Sequence, residues 1–340
     1  MRNPTLKDVA QFSGFSLTTV SRVLSGSDYP VSKKTRISIN NAARELGYFP
    51  NLLARSLKTH ESREIAIVVP SITNPFYTGI IMGAEEILSA HQFHMLVYLT
   101  GNRREQDSQL VEGLRSKMIA GVIIAADSIT DGVATGFLTL RENGIPCIVT
   151  DYSPKTQKPM QGVFFDHRSG GRMAGYYLLD NGHTKIAYGT QALDRPPRCM
   201  RKDGFWEAFT GTLTDFSQQD IYISNQQDEF AAGIELVKKM INANKGYTAI
   251  AVNNDAVAMG VLAGLAMRGI TVPNQISVLG FDDSTFSRMA TPPLTTIQVP
   301  SEQVGRLAAE AMLKELETPS TAYSIYLEPK IMERKTVAKR

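Results

Sequence analysis

From Glu64 onward the chain repeats one pattern twice: short apolar runs of strand length alternate with segments of helical length. The first series reads EIAIVV, MLVYL, GVIIA and PCIVT; the second reads GVFF, KIAYG, IYIS, TAIAV and SVLGF. Strands that alternate with helices form parallel sheets covered on both faces. Two such series predict two doubly wound subdomains, with a ligand bound outside the strand C-termini in the cleft between them.

The motifs of the commoner α/β enzymes are missing from this frame. Neither GxGxxG nor GxxxxGK[ST] follows a strand, and no GxSxG elbow occurs. Dinucleotide, P-loop and hydrolase chemistry are therefore disfavoured. Carboxylates stand at strand ends (Asp151, Asp255, Asp282, Asp283), but no acid/base pair with a matching nucleophile accompanies them. The expectation is a binding protein, not an enzyme, with no cofactor. His91 and His94 lie three apart with no third ligand nearby, so no metal site is expected.

The 340 residues suit two or three domains, and 43% hydrophobic with 20% charged residues can bury a core. No run of 18 apolar residues exists to span a membrane, and MRNPTLKDVAQ lacks the apolar stretch of a secretory signal. Cys147 and Cys199 lie in no CxxC or Cys/His cluster. Free thiols in a reducing compartment, the cytoplasm, are expected.

Charge is unevenly placed. Residues 1–60 hold nine Lys/Arg against three Asp/Glu, whereas the remaining 280 hold 27 against 30. A basic head on a slightly acidic body fits a polyanionic partner, although charge alone does not separate this from a basic solvated surface. The order of residues in the head is more specific. Thr5 can cap a helix ending near Ser13, where Gly14 supplies the left-handed turn. Ser16 can cap a second helix, Leu17 to about Leu24, whose apolar face is Val20, Val23 and Leu24. Ala10 is small where two helices cross. A third helix, Lys33 to Leu46, offers Ile37, Ala42, Ala43 and Leu46 for packing and ends at Gly47. This is the helix-turn-helix pattern, whose second helix enters the major groove of double-stranded DNA.

The outward face of that second helix carries Leu17, Thr18, Ser21 and Arg22. Arg22 can make two hydrogen bonds to guanine, Thr18 can offer its hydroxyl or methyl, and Leu17 an apolar contact to a thymine methyl. Ser16, Thr19 and Ser21 are better placed for phosphates, which position without specifying. One helix-turn-helix makes few base contacts, so specific binding calls for a two-fold dimer on a palindromic operator.

The strings TLKDVAQFSGFSLTTVSRVLSG, VSKKTR and AARELGYFPNLLARSLKT resemble the lactose-repressor/galactose-repressor (LacI/GalR) family. The body resembles it too, through PSITNPFY, GIPCIV, NNDAVAMG, GFDDS, PPLTTI and ERKTV. The resemblance implies base reading by Leu17, Thr18 and Arg22. It further implies a hinge helix that includes Asn51, Ala54, Arg55 and Leu57, with Leu57 wedged into the minor groove. The implied fold is an all-α helix-turn-helix head plus an α/β periplasmic-binding-protein-like body of two Rossmann-like subdomains joined by three crossovers. The expected division is residues 1–48 for the head, 49–62 for the linker and 63–340 for the body. Within the body, the N-subdomain takes about 63–155 and 290–322, and the C-subdomain about 160–285 and 323–340. The crossovers are expected near Asp151–Gln161, near Ser284–Thr291 and at the end of PLTTIQVP.

The same resemblance transfers effector contacts. Phe76 and Tyr77 are to wall the cleft, Arg201 and Asp282 to bind the ligand, and Asn254 with Asp255 to form another cleft pair. Asp151 and Phe230 are further candidates. An Arg with carboxylates can hold vicinal hydroxyls by charge-assisted hydrogen bonds, which suits a sugar. LDRPPRCMRKDGF departs from the family in its prolines and extra arginines, so Arg195 and Arg198 are either contacts for an anionic effector or solvated loop charges. The family's dimer face lies partly on the helix after NPFY, where Ile80, Ile81, Ala84 and Ile87 serve either as interface or as core. No heptads follow ERKTV to support a coiled-coil tetramer. The functional expectation is a repressor of a carbohydrate-utilisation operon released by a sugar. The alternative is a regulator that answers to a purine, a sugar phosphate or a partner protein.

Overall fold

The computed structural model describes residues 4–25, 30–49, 62–100, 107–117, 119–125, 131–151, 161–212, 214, 216–319 and 324–340. The chain divides into two compact units, Met1–Ser62 and Arg63–Arg340.

The head unit holds α1 (Leu6–Ser13), α2 (Leu17–Leu24) and α3 (Lys33–Glu45). Thr5 and Asp8 form a reciprocal capping box, with Asp8 Oδ2 accepting from Thr5 N at 2.7 Å. Gly14 ends α1 at φ 74°, a conformation that costs glycine nothing. Two residues later Ser16 starts α2, its Oγ accepting from Thr19 N at 3.1 Å. Val9, Val20, Val23, Ile39, Ala42 and Ala43 close the core. Ile37, expected to pack, is 60% exposed; Ile39, two positions on, takes the inward face. A shift of two residues turns a side chain by about 200° around a helix, so the two cannot share a face. The hinge positions Asn51, Ala54, Arg55 and Leu57 lie outside the described residues.

The body contains two six-stranded sheets. The first is built from β1 (Glu64–Val69), β2 (His94–Leu99), β3 (Gly121–Ala125), β4 (Cys147–Asp151), β5 (Gly162–Phe165) and β11 (Ser324–Leu327), in the order β11-β5-β4-β3-β1-β2, all parallel. The second is built from β6 (Ile186–Gln191), β7 (Ile221–Ser224), β8 (Ala249–Val252), β9 (Ser277–Asp282), β10 (Thr295–Gln298) and β12 (Lys330–Met332). Its order is β12-β10-β9-β8-β6-β7, with only β12 antiparallel.

Three strands belong to sheets other than those the expected division gives them. β5 and β11 join the first sheet, and β10 joins the second. An apolar run such as GVFF fits either buried sheet, and its pattern does not specify its neighbour. The chain therefore crosses at Asp166, after Gln298 and after Leu327, not near Asp151–Gln161 or Ser284–Thr291.

Helices α4 (Pro75–Ala90), α5 (Asp107–Ser116), α6 (Asp131–Glu142) and α12 (Ser301–Glu317) accompany the first sheet. Helices α7 (His167–Asp180), α8 (Pro196–Glu207), α9 (Glu229–Asn242), α10 (Asp255–Ala266) and the short α11 (Thr285–Met289) accompany the second. On α4, Ile80 and Ala84 are fully buried core, and Ile81 and Ile87 pack partly against it. The exposed apolar side chains here are instead Met82 on α4 and Val97 and Leu99 on the edge strand β2.

Candidate effector cleft and DNA-reading head

The burial of Val20 and Val23 orients α2. Leu17, Thr18 and Arg22 are exposed on the other side, Ser16 is exposed, and Thr19 and Ser21 are half-buried. Ser16 and Thr19 also join their hydroxyls at 2.8 Å, so both help to hold the helix start.

The cleft lies where the ends of β1 and β4 of the first sheet meet those of β6, β8 and β9 of the second. Its deep part is a chain of ionisable side chains. Asp151 ends β4, and its Oδ1 lies 2.9 Å from His167 Nε2. His167 is the first residue of α7, just past the first crossover. Its Nδ1 accepts from Arg201 Nε at 3.1 Å, which places the ring proton on Nε2, facing Asp151. Arg201 Nη1 then reaches Asp282 Oδ1 at 3.1 Å, at the end of β9. The Arg201 guanidinium lies over the Phe281 ring, 3.8 Å from its centroid. All four side chains are buried, so their geometry is fixed by mutual contacts and not by solvent.

Both acids at the strand ends have positive φ, 75° for Asp151 and 115° for Asp282. Non-glycine residues are uncommon there, and such strain collects at ligand-binding sites. Burial raises the Asp151 carboxyl, but His167 and Arg201 outweigh it and hold the group below its usual range. Asp282 goes the other way: burial, with Asp255, Asp151 and Glu229 nearby, pushes it well up against the pull of Arg201.

The sequence-predicted residues separate into three groups. Phe76, Tyr77, Asp151, Arg201, Asn254 and Asp282 line one small inner chamber. Arg195 and Phe230 line a larger outer chamber, as does Arg198, which lines both. Asp255 lines neither. Its Oδ1 accepts from Thr296 Oγ1 at 2.6 Å and its Oδ2 from Ser284 N at 2.7 Å, so it ties the ends of β9 and β10 together. Its position next to Asn254 at the start of α10 turns it behind the cleft wall, and burial pushes its carboxyl up to about 7. Arg198 is braced by Gln191 Oε1 at 2.9 Å and by the Ala192 carbonyl at 3.2 Å.

Four cleft residues escaped the sequence reading. His167 relays Asp151 to Arg201. Asn253 lines the inner chamber with a buried Oδ1 that has no hydrogen-bond partner among the described residues. Asn74 and Glu229 meet across the cleft: Asn74 Nδ2 lies 3.1 Å from Glu229 Oε2, while Asn254 Nδ2 lies 2.6 Å from Glu229 Oε1. Asn253 adjoins the NND string, and Glu229 immediately precedes Phe230. Only the three-dimensional meeting of loops reveals their roles. Among the described residues no group of His, Cys, Asp or Glu is arranged to hold a metal ion, and no helix is long and apolar enough to cross a membrane.

A helix-turn-helix head carried on a two-subdomain body with a polar cleft defines a DNA-binding regulator whose body has a ligand-binding fold. A family model described as "Bacterial regulatory proteins, lacI family" matches residues 5–51, and one described as "Periplasmic binding protein-like domain" matches residues 176–337. The HTH-type transcriptional repressor PurR of Vibrio parahaemolyticus is 30% identical over 336 residues, spanning 98% of this chain and 99% of that protein. The ribose operon repressor of Escherichia coli is 29% identical over 331 residues, spanning 97% and 98%. The lac repressor dimer bound to operator and the anti-inducer ONPF matches with a TM-score of 0.86 at 25% identity, over 99% of this chain and 100% of that one. The chain belongs to the lacI family of bacterial regulatory proteins and is a transcriptional regulator.

Proposed function

We propose that the protein represses a carbohydrate-utilisation operon, bound as a homodimer to a palindromic operator in the cytoplasm, and that a sugar in the cleft alters this binding. The observation that carries the reading is the buried Arg201–Asp282 pair facing Asn253 and Asn254 beneath the aromatic pair Phe76 and Tyr77. Fixed donors and acceptors beside aromatic walls suit a polyhydroxylated ring. Leu17, Thr18 and Arg22 read bases, and Ser16, Thr19 and Ser21 contact phosphates. Asn51, Ala54, Arg55 and Leu57 act as the hinge in the minor groove. The ligand closes or opens the cleft, and the changed angle between subdomains favours or disfavours the hinge. A differential affinity of a few kcal/mol between the two states is sufficient. The relatives are repressors, and the reading contains no catalytic step.

Arg195 and Arg198 at the outer chamber favour a second reading, an anionic effector such as a sugar phosphate. The test is the thermal-unfolding midpoint of the pure protein against neutral sugars, sugar phosphates and purines. Binding to the folded state alone must raise the midpoint. A rise with a neutral sugar supports the first reading; a rise with phosphorylated sugars or purines alone replaces it.

A further inference from the structure

Glu229, held by Asn74 and Asn254, stands between an inner and an outer part of the cleft. Glu229, with Asn74, Tyr77 and Arg198, lines both an inner chamber of about 40 Å³ and an outer one of about 570 Å³. The inner volume is close to that of one water molecule, about 30 Å³. No sugar ring fits there while Asn74 and Asn254 both hold Glu229. A ring that reaches Arg201 and Asp282 must displace the Asn74 amide and fill the junction beside Glu229. Most of the outer chamber then remains open.

That outer chamber has its own lining. Ser71 and Thr73 face it from one subdomain, and Asn225, Gln226 and Gln227 from the other. The loop that carries the latter three is held from inside. Gln191, buried at the end of β6, donates from Nε2 to the Gln226 carbonyl at 3.0 Å and to the Gln227 carbonyl at 3.3 Å. Arg198 secures Gln191 in turn, through its Oε1 at 2.9 Å. The wall is thus built on buried hydrogen bonds and presents neutral amides and hydroxyls, the groups that match sugar hydroxyls in both directions. Arg195 and Arg198 are outnumbered there by Asp194, Asp228 and Glu229, so the chamber has no net positive charge to select an anion. Its volume lies within the range of about 300–1,000 Å³ typical of small-molecule pockets, which leaves room for a further sugar unit.

We infer that the outer chamber is a second saccharide subsite, so that the effector is a neutral disaccharide or longer, with Glu229 accepting hydroxyls at the junction of the two units. This rests on the carbohydrate reading above and specifies the size of its ligand. The test is calorimetric titration of the full chain with glucose, galactose, fructose and ribose, with maltose, cellobiose, lactose, sucrose and trehalose, and with glucose 6-phosphate. One disaccharide is expected to bind at least about tenfold more tightly than its component monosaccharides, the advantage that one or two well-made hydrogen bonds supply. Asn225→Ala and Gln227→Ala, on an exposed loop, are expected to lower that ratio severalfold. A monosaccharide that binds as tightly as the disaccharides containing it overturns the second subsite and leaves the carbohydrate reading standing. A ratio unaltered in both variants does the same. Binding of glucose 6-phosphate alone, or of no sugar in the series, overturns both.

Discussion

His167 Nε2 lies 2.9 Å from Asp151 Oδ1, and the two residues stand on opposite sides of the first crossover between the sheets. The pair thus connects the end of β4 in the first sheet to the first helix that accompanies the second sheet, and through Arg201 to the rest of the cleft. His167→Leu leaves the buried Asp151 without the ring N–H that faces it and frees the Arg201 Nε proton. Leaving a buried polar group without its partner costs about 1–3 kcal/mol, and more when the group is charged. The body of this variant is therefore expected to unfold at a markedly lower denaturant midpoint. His167→Asn, which can still accept from Arg201, is expected to recover part of the loss. Urea titration followed by circular dichroism measures both.

Asp255 gives a pH signature of its own. Its carboxyl is pushed from 3.8 up to about 7, by burial before anything else. Between those values the folded protein keeps a proton that the unfolded chain has released. Stability contributed by this group therefore falls as pH rises across that window. Asp255→Asn cannot ionise, so the difference in melting temperature, wild type minus variant, is expected to decline from pH 4 to pH 7 and then level off. A difference independent of pH refutes the assignment.

The placement of Arg201 depends on a residue that never touches it through a side chain. A Cβ added at Gly171 on α7 would lie 2.0 Å from the Arg201 carbonyl oxygen on α8, so the two helices must separate to admit it. Overpacking of this kind costs about 1–3 kcal/mol. Gly171→Ala is expected both to lower the melting temperature and to weaken effector binding, because the displaced α8 carries Arg201 with it. Calorimetry and thermal scans on the same preparation separate the two effects.

In the head, Thr5→Ala removes one side of the capping box on α1. Its expected cost is about 1 kcal/mol, with Thr5→Ser close to neutral. Hydrogen exchange of the head amides reads the change without interference from the body. Arg22→Ala is expected to cost about 1–3 kcal/mol of discrimination at one base pair in each half-site. Selection from a random DNA pool with each protein shows which base loses its preference.

Much of this architecture was legible in the residue order, and the exceptions have physical causes. Thr5, Gly14 and Ser16 marked the head helices because caps and turns are local: their partners lie three or four residues away. Arg201 and Asp282 stand out in the residue order only because their flanking strings resemble a known family, and the structure pairs them at 3.1 Å. The sheet assignment of β5, β10 and β11 was not legible, because a buried apolar strand carries no mark of which edge it will join. Asp255 was misplaced for a related reason. It sits at a strand end beside Asn254, as a ligand contact does, but its carboxylate is consumed by Thr296 and Ser284, 41 and 29 residues away in sequence. His167, Asn74 and Glu229 acquire their roles only where the two subdomains face each other, and no local pattern encodes that meeting.

The most direct test of the account joins the two units of the chain. An operator fragment is obtained by selection, and its affinity for wild type and for Arg201→Lys is measured with and without the sugar that raises the wild-type melting temperature. Lysine keeps the charge but cannot reach His167, Asn253 and Asp282 together in a planar fork. The account predicts that the sugar changes operator affinity of the wild type at least about tenfold, while Arg201→Lys binds operator normally and no longer responds. An Arg201→Lys protein that responds as fully as wild type contradicts the account, because the cleft would then not be where the signal enters.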